Sequence, residues 1–539
     1  MSSLEKQPDE TVGEQDIART QSEISRGAVA RTAGLLGMGN VASRLLGLLR
    51  DTAIYYFFGA SGAVSAFRTA WRVPQFLYDL LIGGQLSAAL VPVLSDYTPE
   101  ERRHELWRIA SIFLSLATAA LAIVVLLIEV GAPWIIALIG GGFPLELQQL
   151  AARLLRLIAP ALLFMGLSGA VTGLLYSLKR FLYPSIAAAL LNGGIILVVV
   201  VAAGRIGIVS VALGVALGAL LQLVVQLPGL RGARLRPALD LSHPALRKIL
   251  RLYLPVVLGV VIGMVGTIID RRLASGTGES SIAWMDGATT LIQTPLGLIA
   301  AAVALAVLPS LSRADTEGDE ARYQAALGLG LRLILTLVVP ATVGLLALGR
   351  PVVALLFEHG RFTSHDTTMV TWALGLYLIG LPFAAVDQLL IFAFYARKNT
   401  LLPNLVQVYA IAIYLLFALP FVRPWGMFSL VIANSAQWTW HTLLMLLLLR
   451  RRMGWPRGQR IGATLLRSTL AASVTGVAAW GTARLVGQAV GLVSLPGRLI
   501  TVAAGMAVAI GVYLGLAALL RLEEVHVAWK ALRARLGGR

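Results

Sequence analysis

The chain has 539 residues, of which 57% are hydrophobic and only 13% charged, and its mean hydropathy is +0.79. A soluble domain carries about 25% charged residues, so the composition excludes a soluble enzyme and a nucleic-acid-binding domain, and the net charge of +18 reads as the basic loops that orient membrane helices. There is no cysteine, which excludes disulfide and thiolate chemistry.

Residues 1–32 are polar and of mixed charge, which predicts a disordered tail without a cleavable signal peptide. Apolar runs of the length that crosses hydrocarbon then follow one another to the far end. They fall near 33–58, 70–95, 106–131, 149–177, 183–203, 205–229, 245–275, 281–311, 321–348, 366–396, 401–421, 425–450, 461–486 and 494–520. β-Barrel strands would alternate apolar and polar residues, and these runs do not. The expected fold is an all-α polytopic membrane protein of about fourteen helices. Apolar pieces near 131–148 and 348–366 read as re-entrant or interfacial segments.

The first run carries Arg44, Arg50 and Asp51. A charged side chain inside a bilayer costs about 2.5–3.5 kcal/mol on insertion scales, so such residues face a bundle interior or a wet cavity. A helix of this kind points to a polar pathway and hence to a transporter. Basic clusters follow the even-numbered runs, among them Arg102, Arg103 and Arg108, then Lys179 and Arg180, then Arg450, Arg451 and Arg452. The positive-inside rule places these loops and both termini in the cytoplasm. Leu522, Val525, Trp529, Leu532 and Leu536 recur at helical spacing beside basic residues, which predicts an amphipathic helix on the cytoplasmic headgroups over 521–539.

The chain resembles itself at an offset near 217–219. Gly59 to Phe67 aligns with Gly276 to Trp284, Ala89 to Ser95 with Ala306 to Ser312, and Tyr176 to Arg180 plus Pro184 with Tyr395 to Asn399 plus Pro403. Six helices separate the copies, so both enter the membrane in the same direction. Parallel repeats are a transporter architecture with the substrate path at their interface. The expected organisation is an N-lobe over 33–230, a C-lobe over 231–450 and a terminal helix pair over 451–520.

Ala42 to Asp51, Phe58-Gly-Ala60, Ala66-Phe67, Val73-Pro74 and Leu86 to Pro92 together resemble the first two helices of the MurJ (MviN) lipid II flippases. These belong to the multidrug/oligosaccharidyl-lipid/polysaccharide exporter superfamily. Leu308 to Ser312, His359 to Thr363 and Phe394 to Arg397 extend the likeness. The resemblance implies two six-helix lobes forming a V, a final pair that cradles an isoprenoid tail, and transfer of a lipid-linked peptidoglycan precursor from inner to outer leaflet through a cationic cavity. It implies the bacterial inner membrane, a lipid-linked saccharide substrate and contact with membrane lipids. Cell-wall synthesis enzymes are further expected partners. No cofactor, nucleic acid or enzymatic activity is expected, and the monomer is the expected state. No Walker A loop is present.

Arginine is the natural partner of a pyrophosphate, which makes Arg44, Arg50 and Arg72, with Asp51, the leading substrate-binding residues. Tyr78 and Asp79 stand where the family pattern has arginines, and Thr289 and Gln293 stand at family acidic positions. Tyr78, Asp79, Asp286 and Gln293 complete the expected cavity lining. This thinner charge leaves two alternatives open, a different lipid-linked oligosaccharide or a non-transporting scaffold.

Asp270 and Asp387 are the ion-coupling candidates. The acidic residue that matches Asp270 belongs to a sodium site in some family members. Helix eleven lacks the matching partners here, so an Asp270–arginine ion pair is the preferred reading. Asp387 lies inside an apolar run and reads either as a proton carrier or as a polar bridge between helices. Arg68 reads as a snorkelling residue. His104, His243, His359, His365, His441 and His526 show no ligand spacing and read as loop or surface residues.

Overall fold

A computed structural model describes residues 41–81, 93–238 and 263–525, together with residues 39, 90, 240 and 261. The expected tail over 1–32, His243, and the last part of the expected amphipathic helix lie outside the described residues. Helices follow in sequence as α1 (41–58), α2 (Gly62–Leu81), α3 (Arg103–Gly140), α4 (Leu145–Ser177), α5 (Leu182–Ile206) and α6 (Val209–Val224). After the connection come α7 (263–274), α8 (Ser281–Glu317), α9 (Glu320–Phe357), α10 (Ser364–Ala396), α11 (Leu401–Trp425), α12 (Met427–Arg452), α13 (Ile461–Val490) and α14 (Leu495–Leu519). Helix satisfies every backbone N–H and C=O within the segment, which is why an apolar chain with no water around it takes this form.

Among the described residues ten of these helices are long and apolar enough to cross a membrane. The others are α1, α2, α12 and the described part of α7. The first two carry Arg44, Arg50, Asp51, Arg68 and Arg72, and α12 carries Asn434 and His441.

Two expectations change in the structure. The apolar pieces near 131–148 and 348–366 are not re-entrant; α3 and α9 run on through Pro133 and Pro351 as continuous helices of 38 residues each. Helix α2 begins at Gly62, eight residues before the apolar run suggested, because its first turns carry polar and charged residues that are buried against protein.

The internal repeat is visible in backbone detail. Helix α4 ends on Lys179 at φ 58° and α10 on Lys398 at φ 56°. Each is followed by an N–H that reaches back, from Arg180 to the Leu175 carbonyl and from Asn399 to the Phe394 carbonyl. The α5–α6 turn uses Gly207 at φ 59°, ψ −144° and the α11–α12 turn Gly426 at φ 53°, ψ −135°. Packing repeats too. Helix α4 contacts α2, α3 and α6, and α5 contacts α6; six helices on, α10 contacts α8, α9 and α12, and α11 contacts α12. Helices α13 and α14 pack on each other and on α9.

The start of the expected amphipathic tail is docked rather than laid on headgroups. Leu522 is buried against Ala471, Tyr513 and Ala517, and buried Glu524 pairs with Arg332 at 3.2 Å. Trp529, Leu532 and Leu536 lie outside the described residues.

Candidate functional site

Helices α1 and α2 meet α5 and α8 around a cavity of about 690 Å³. Arg44, Arg50, Asp51, Arg72, Tyr78, Asp286 and Gln293 all line it, so seven of the eight expected cavity residues converge. The eighth, Asp79, lies on α2, and its side chain is outside the described residues.

The charges in this cavity are unevenly compensated. Asp51 is buried and accepts from Arg50 Nε and Arg68 Nη2, both at 2.9 Å, and its second oxygen accepts from Thr290 Oγ1 of α8 at 3.1 Å. Arg50 also donates to Asn192 Oδ1 on α5 at 3.0 Å, and Asn192 donates to the Ser43 carbonyl at 3.1 Å. Arg68 is therefore not a snorkelling residue. It is 8% exposed and bonds a buried carboxylate that would otherwise stand with Arg50 alone. In the second repeat Arg271 of α7 forms an ion pair with Asp286 of α8. Each repeat thus ties its first two helices together with one buried aspartate–arginine pair, and the polarity is reversed between them.

Arg44 and Arg72 differ from the rest. Arg44 Nη1 reaches the Gln293 carbonyl of α8 at 3.4 Å, and Arg72 Nη1 bonds the side-chain oxygen of Gln75 at 3.2 Å. Neither forms an ion pair with a carboxylate among the described residues. Arg44 can lie across α8 because of a local irregularity. Pro295 withdraws an N–H from the ladder, α8 widens into a π-turn over Leu296–Ala300, and Gly297 leaves room there. A Cβ at Gly297 would stand 2.2 Å from Arg44 Nη2.

One end of the cavity is sealed, at the connections α1–α2, α3–α4, α7–α8 and α9–α10. Tyr55 of α1 donates to the Ala283 carbonyl of α8 at 2.6 Å and packs edge-on against Phe357 and Phe362. The Arg361 N–H donates to the Tyr56 carbonyl at 2.9 Å, and the Gly142 N–H to Ser275 Oγ at 3.0 Å.

The two ion-coupling candidates lie elsewhere. Asp270 does not form the expected pair with an arginine. Its Oδ1 accepts from Tyr414 Oη of α11 at 2.7 Å and from Asn434 Nδ2 of α12 at 3.1 Å, while the neighbouring Arg271 turns to Asp286. Asp387 of α10 is joined to His441 Nδ1 of α12 at 2.7 Å. His441 is 3% exposed, which corrects its reading as a surface residue. Its signal was present in the sequence: Asn434, Trp438 and His441 follow the i, i+4, i+7 spacing of one helix face.

The family model "Lipid II flippase MurJ" matches residues 54–501. The lipid II flippase MurJ of Burkholderia cenocepacia is 30% identical over 446 residues, which cover 79% of this chain and 86% of that protein. The probable lipid II flippase MurJ of Haemophilus influenzae is 29% identical over 81% of this chain and 89% of its own length. In fold, the chain matches a lipid II flippase MurJ in an inward closed conformation with a TM-score of 0.76 and 23% identity, covering 91% and 99% of the two chains. It also matches an inward-facing MATE-family transporter of the MOP superfamily with a TM-score of 0.66 and 17% identity, covering 76% and 94%. On a family model that spans most of its length and a relative aligned over most of both chains, this multi-pass membrane protein belongs to the MurJ lipid II flippase family.

Proposed function

We propose that this protein flips the lipid-linked peptidoglycan precursor lipid II from the inner to the outer leaflet of the bacterial inner membrane. It works by alternating access of two parallel lobes, α1–α6 and α7–α12, with both termini in the cytoplasm. The observation that carries this reading is a polar cavity where the repeats meet, in which Arg44 and Arg72 stand without carboxylate partners among the described residues. A pyrophosphate supplies the missing negative charge, and guanidinium groups hold it through paired, charge-assisted hydrogen bonds. Arg50, bound to Asp51 and Asn192, positions the wall rather than gripping the substrate. The sealed end carries the loops poorer in Lys and Arg, so by the positive-inside rule this conformation is closed toward the outer face. The isoprenoid chain stays in lipid while the head group crosses.

Tyr78, Thr289 and Gln293 line the same cavity, uncharged where the family pattern carries charge. They favour a second reading in which the head group belongs to another lipid-linked oligosaccharide. Proteoliposomes loaded with labelled lipid II decide between these. Wild type moves the label to the outer leaflet. Arg44→Ala and Arg72→Gln each weaken substrate binding about tenfold to a hundredfold, the loss of one hydrogen bond to a charged group worth about 1.5–3 kcal/mol. Transfer unchanged in both variants refutes the site. An inert wild type that moves a different polyprenyl-pyrophosphate saccharide establishes the second reading.

A further inference from the structure

The Asp387–His441 pair is set apart from the substrate cavity and does nothing in the mechanism above. It bridges α10 and α12 inside the second repeat, with Nδ1 and Oδ1 2.7 Å apart. The histidine side chain is 4% exposed and the aspartate 17%, so the carboxylate is the more accessible end of the pair. On its other side His441 Nε2 is buried and has no hydrogen-bond partner among the described residues. A histidine that only bridged two helices would normally have its second nitrogen satisfied as well. With Nδ1 donating to the carboxylate, the Nε2 lone pair is left unused in the protein interior.

We propose that Asp387 and His441 together form a proton-binding site that couples flipping to a proton gradient. The site carries one proton when empty and two when loaded. In the empty state the single proton lies on Nδ1 and is donated to an ionised carboxylate, and the pair has a net charge of −1. Loading adds one proton to the Nε2 lone pair and leaves a neutral imidazolium–carboxylate pair. No other bond forms or breaks. Imidazole is the side chain that most readily takes up and releases a proton in this way.

The charged and titratable groups on the surrounding helices are engaged with other partners. Asp286 of α8 pairs with Arg271, Arg332 of α9 with Glu524 and Arg397 after α10 with Glu320. Tyr414 of α11 bonds Asp270, as does Asn434 on α12 itself. Tyr323 of α9 bonds the Ala393 carbonyl, and Arg313 and Arg350 are exposed. Among the described residues His441 is the one ionisable group that acts on Asp387. The pair therefore stands as an isolated unit at the α10–α12 contact of the second lobe.

The link to flipping rests on the proposed function, whereas the proton site does not, and two measurements keep them apart. In lipid nanodiscs the chain's six histidines give a tractable set of imidazole nitrogen resonances, and His441→Gln assigns the one of interest. The expected result is a His441 ring whose protonation state changes with pH and changes differently in Asp387→Asn. A His441 ring that keeps a single protonation state throughout overturns the site. In proteoliposomes at a clamped membrane potential, an imposed pH gradient speeds lipid II transfer severalfold in wild type but not in Asp387→Asn or His441→Gln, although both variants retain basal transfer. Equal acceleration in all three overturns the coupling. Absence of transfer in wild type overturns the flippase reading and leaves the nitrogen titration to decide the proton site.

Discussion

Arg68 shows how a single residue can be misjudged from sequence. Four positions from Arg72 and near a helix end, it has the profile of a snorkelling side chain, yet it bonds Asp51, which is 2% exposed. Breaking a buried pair from one side costs up to about 3–5 kcal/mol, and Arg68→Ala leaves Asp51 to Arg50 and Thr290 alone. Arg68→Ala should therefore lower thermal stability in detergent markedly, and Asp51→Asn combined with Arg68→Ala should recover much of the loss. A double-mutant cycle reads the coupling directly, and additive losses would show that the pair does not hold α1 to α2. Arg44→Ala is the contrasting case. Its guanidinium is exposed and meets only a carbonyl, so stability should stay within about 0.5 kcal/mol of wild type while flipping falls. The pair of results separates a residue that supports the site from one that meets the substrate.

At the scale of helices and turns, small residues set how closely elements approach. Helices α5 and α6 cross at glycines. A Cβ on Gly218 would lie 2.4 Å from the Leu191 carbonyl oxygen, and one on Gly194 would lie 2.5 Å from Gly218 Cα. With lipid on the outside, helix association rests on such close packing. Gly218→Ala should loosen α5 from α6 and reduce thermal stability. Gly207 tests a different cause, because a Cβ there meets nothing within 4 Å. Its φ of 59° with ψ of −144° is a conformation that side chains other than hydrogen resist at about 1–3 kcal/mol. Gly207→Ala should cost about that much through the backbone alone, and Gly426→Ala should match it if the repeat is a repeat in energy as well as geometry. The docking of the terminal pair rests on another local device. Buried Arg498 of α14 donates to the Glu358 carboxylate at 2.7 Å and to the Ala354 carbonyl at 3.2 Å, which fastens α14 to the end of α9.

For the whole molecule, alternating access requires the sealed end to open. Gly62 and Glu279 offer a way to hold it shut, since a Cβ on Gly62 would stand 3.2 Å from Glu279 Cβ, within a few tenths of an ångström of the Cβ–Cβ distance of a disulfide. The natural chain has no cysteine, so Gly62→Cys with Glu279→Cys introduces a single possible bridge. Oxidation should stop flipping and a reductant should restore it. Transfer that continues under full cross-linking would rule out opening at this end. Packing repeats every six helices, and hydrogen bonds link the two sets of six at several points. They include those of Tyr55 and Ser65 with Ala283, Thr290 with Asp51, Arg44 with Gln293, Arg361 with Tyr56 and Gly142 with Ser275.

Much of this protein follows from the order of its residues alone. Apolar runs long enough to span hydrocarbon force helices because the backbone has no other partner there, and charges inside the first two runs must find a polar interior. The repeat appeared in short matched segments, and seven of eight expected cavity residues came together. What tertiary structure alone decided is which charge meets which. Arg50 and Arg68 both join Asp51, Arg271 turns to Asp286 instead of Asp270, and His441 comes to Asp387 from a helix 54 positions away. Spacing along a helix fixes which face a side chain occupies, but the choice of partner depends on how helices far apart in sequence cross. That crossing is set by backbone features such as the Pro295 π-turn and the close-packed glycines, whose effects are not local.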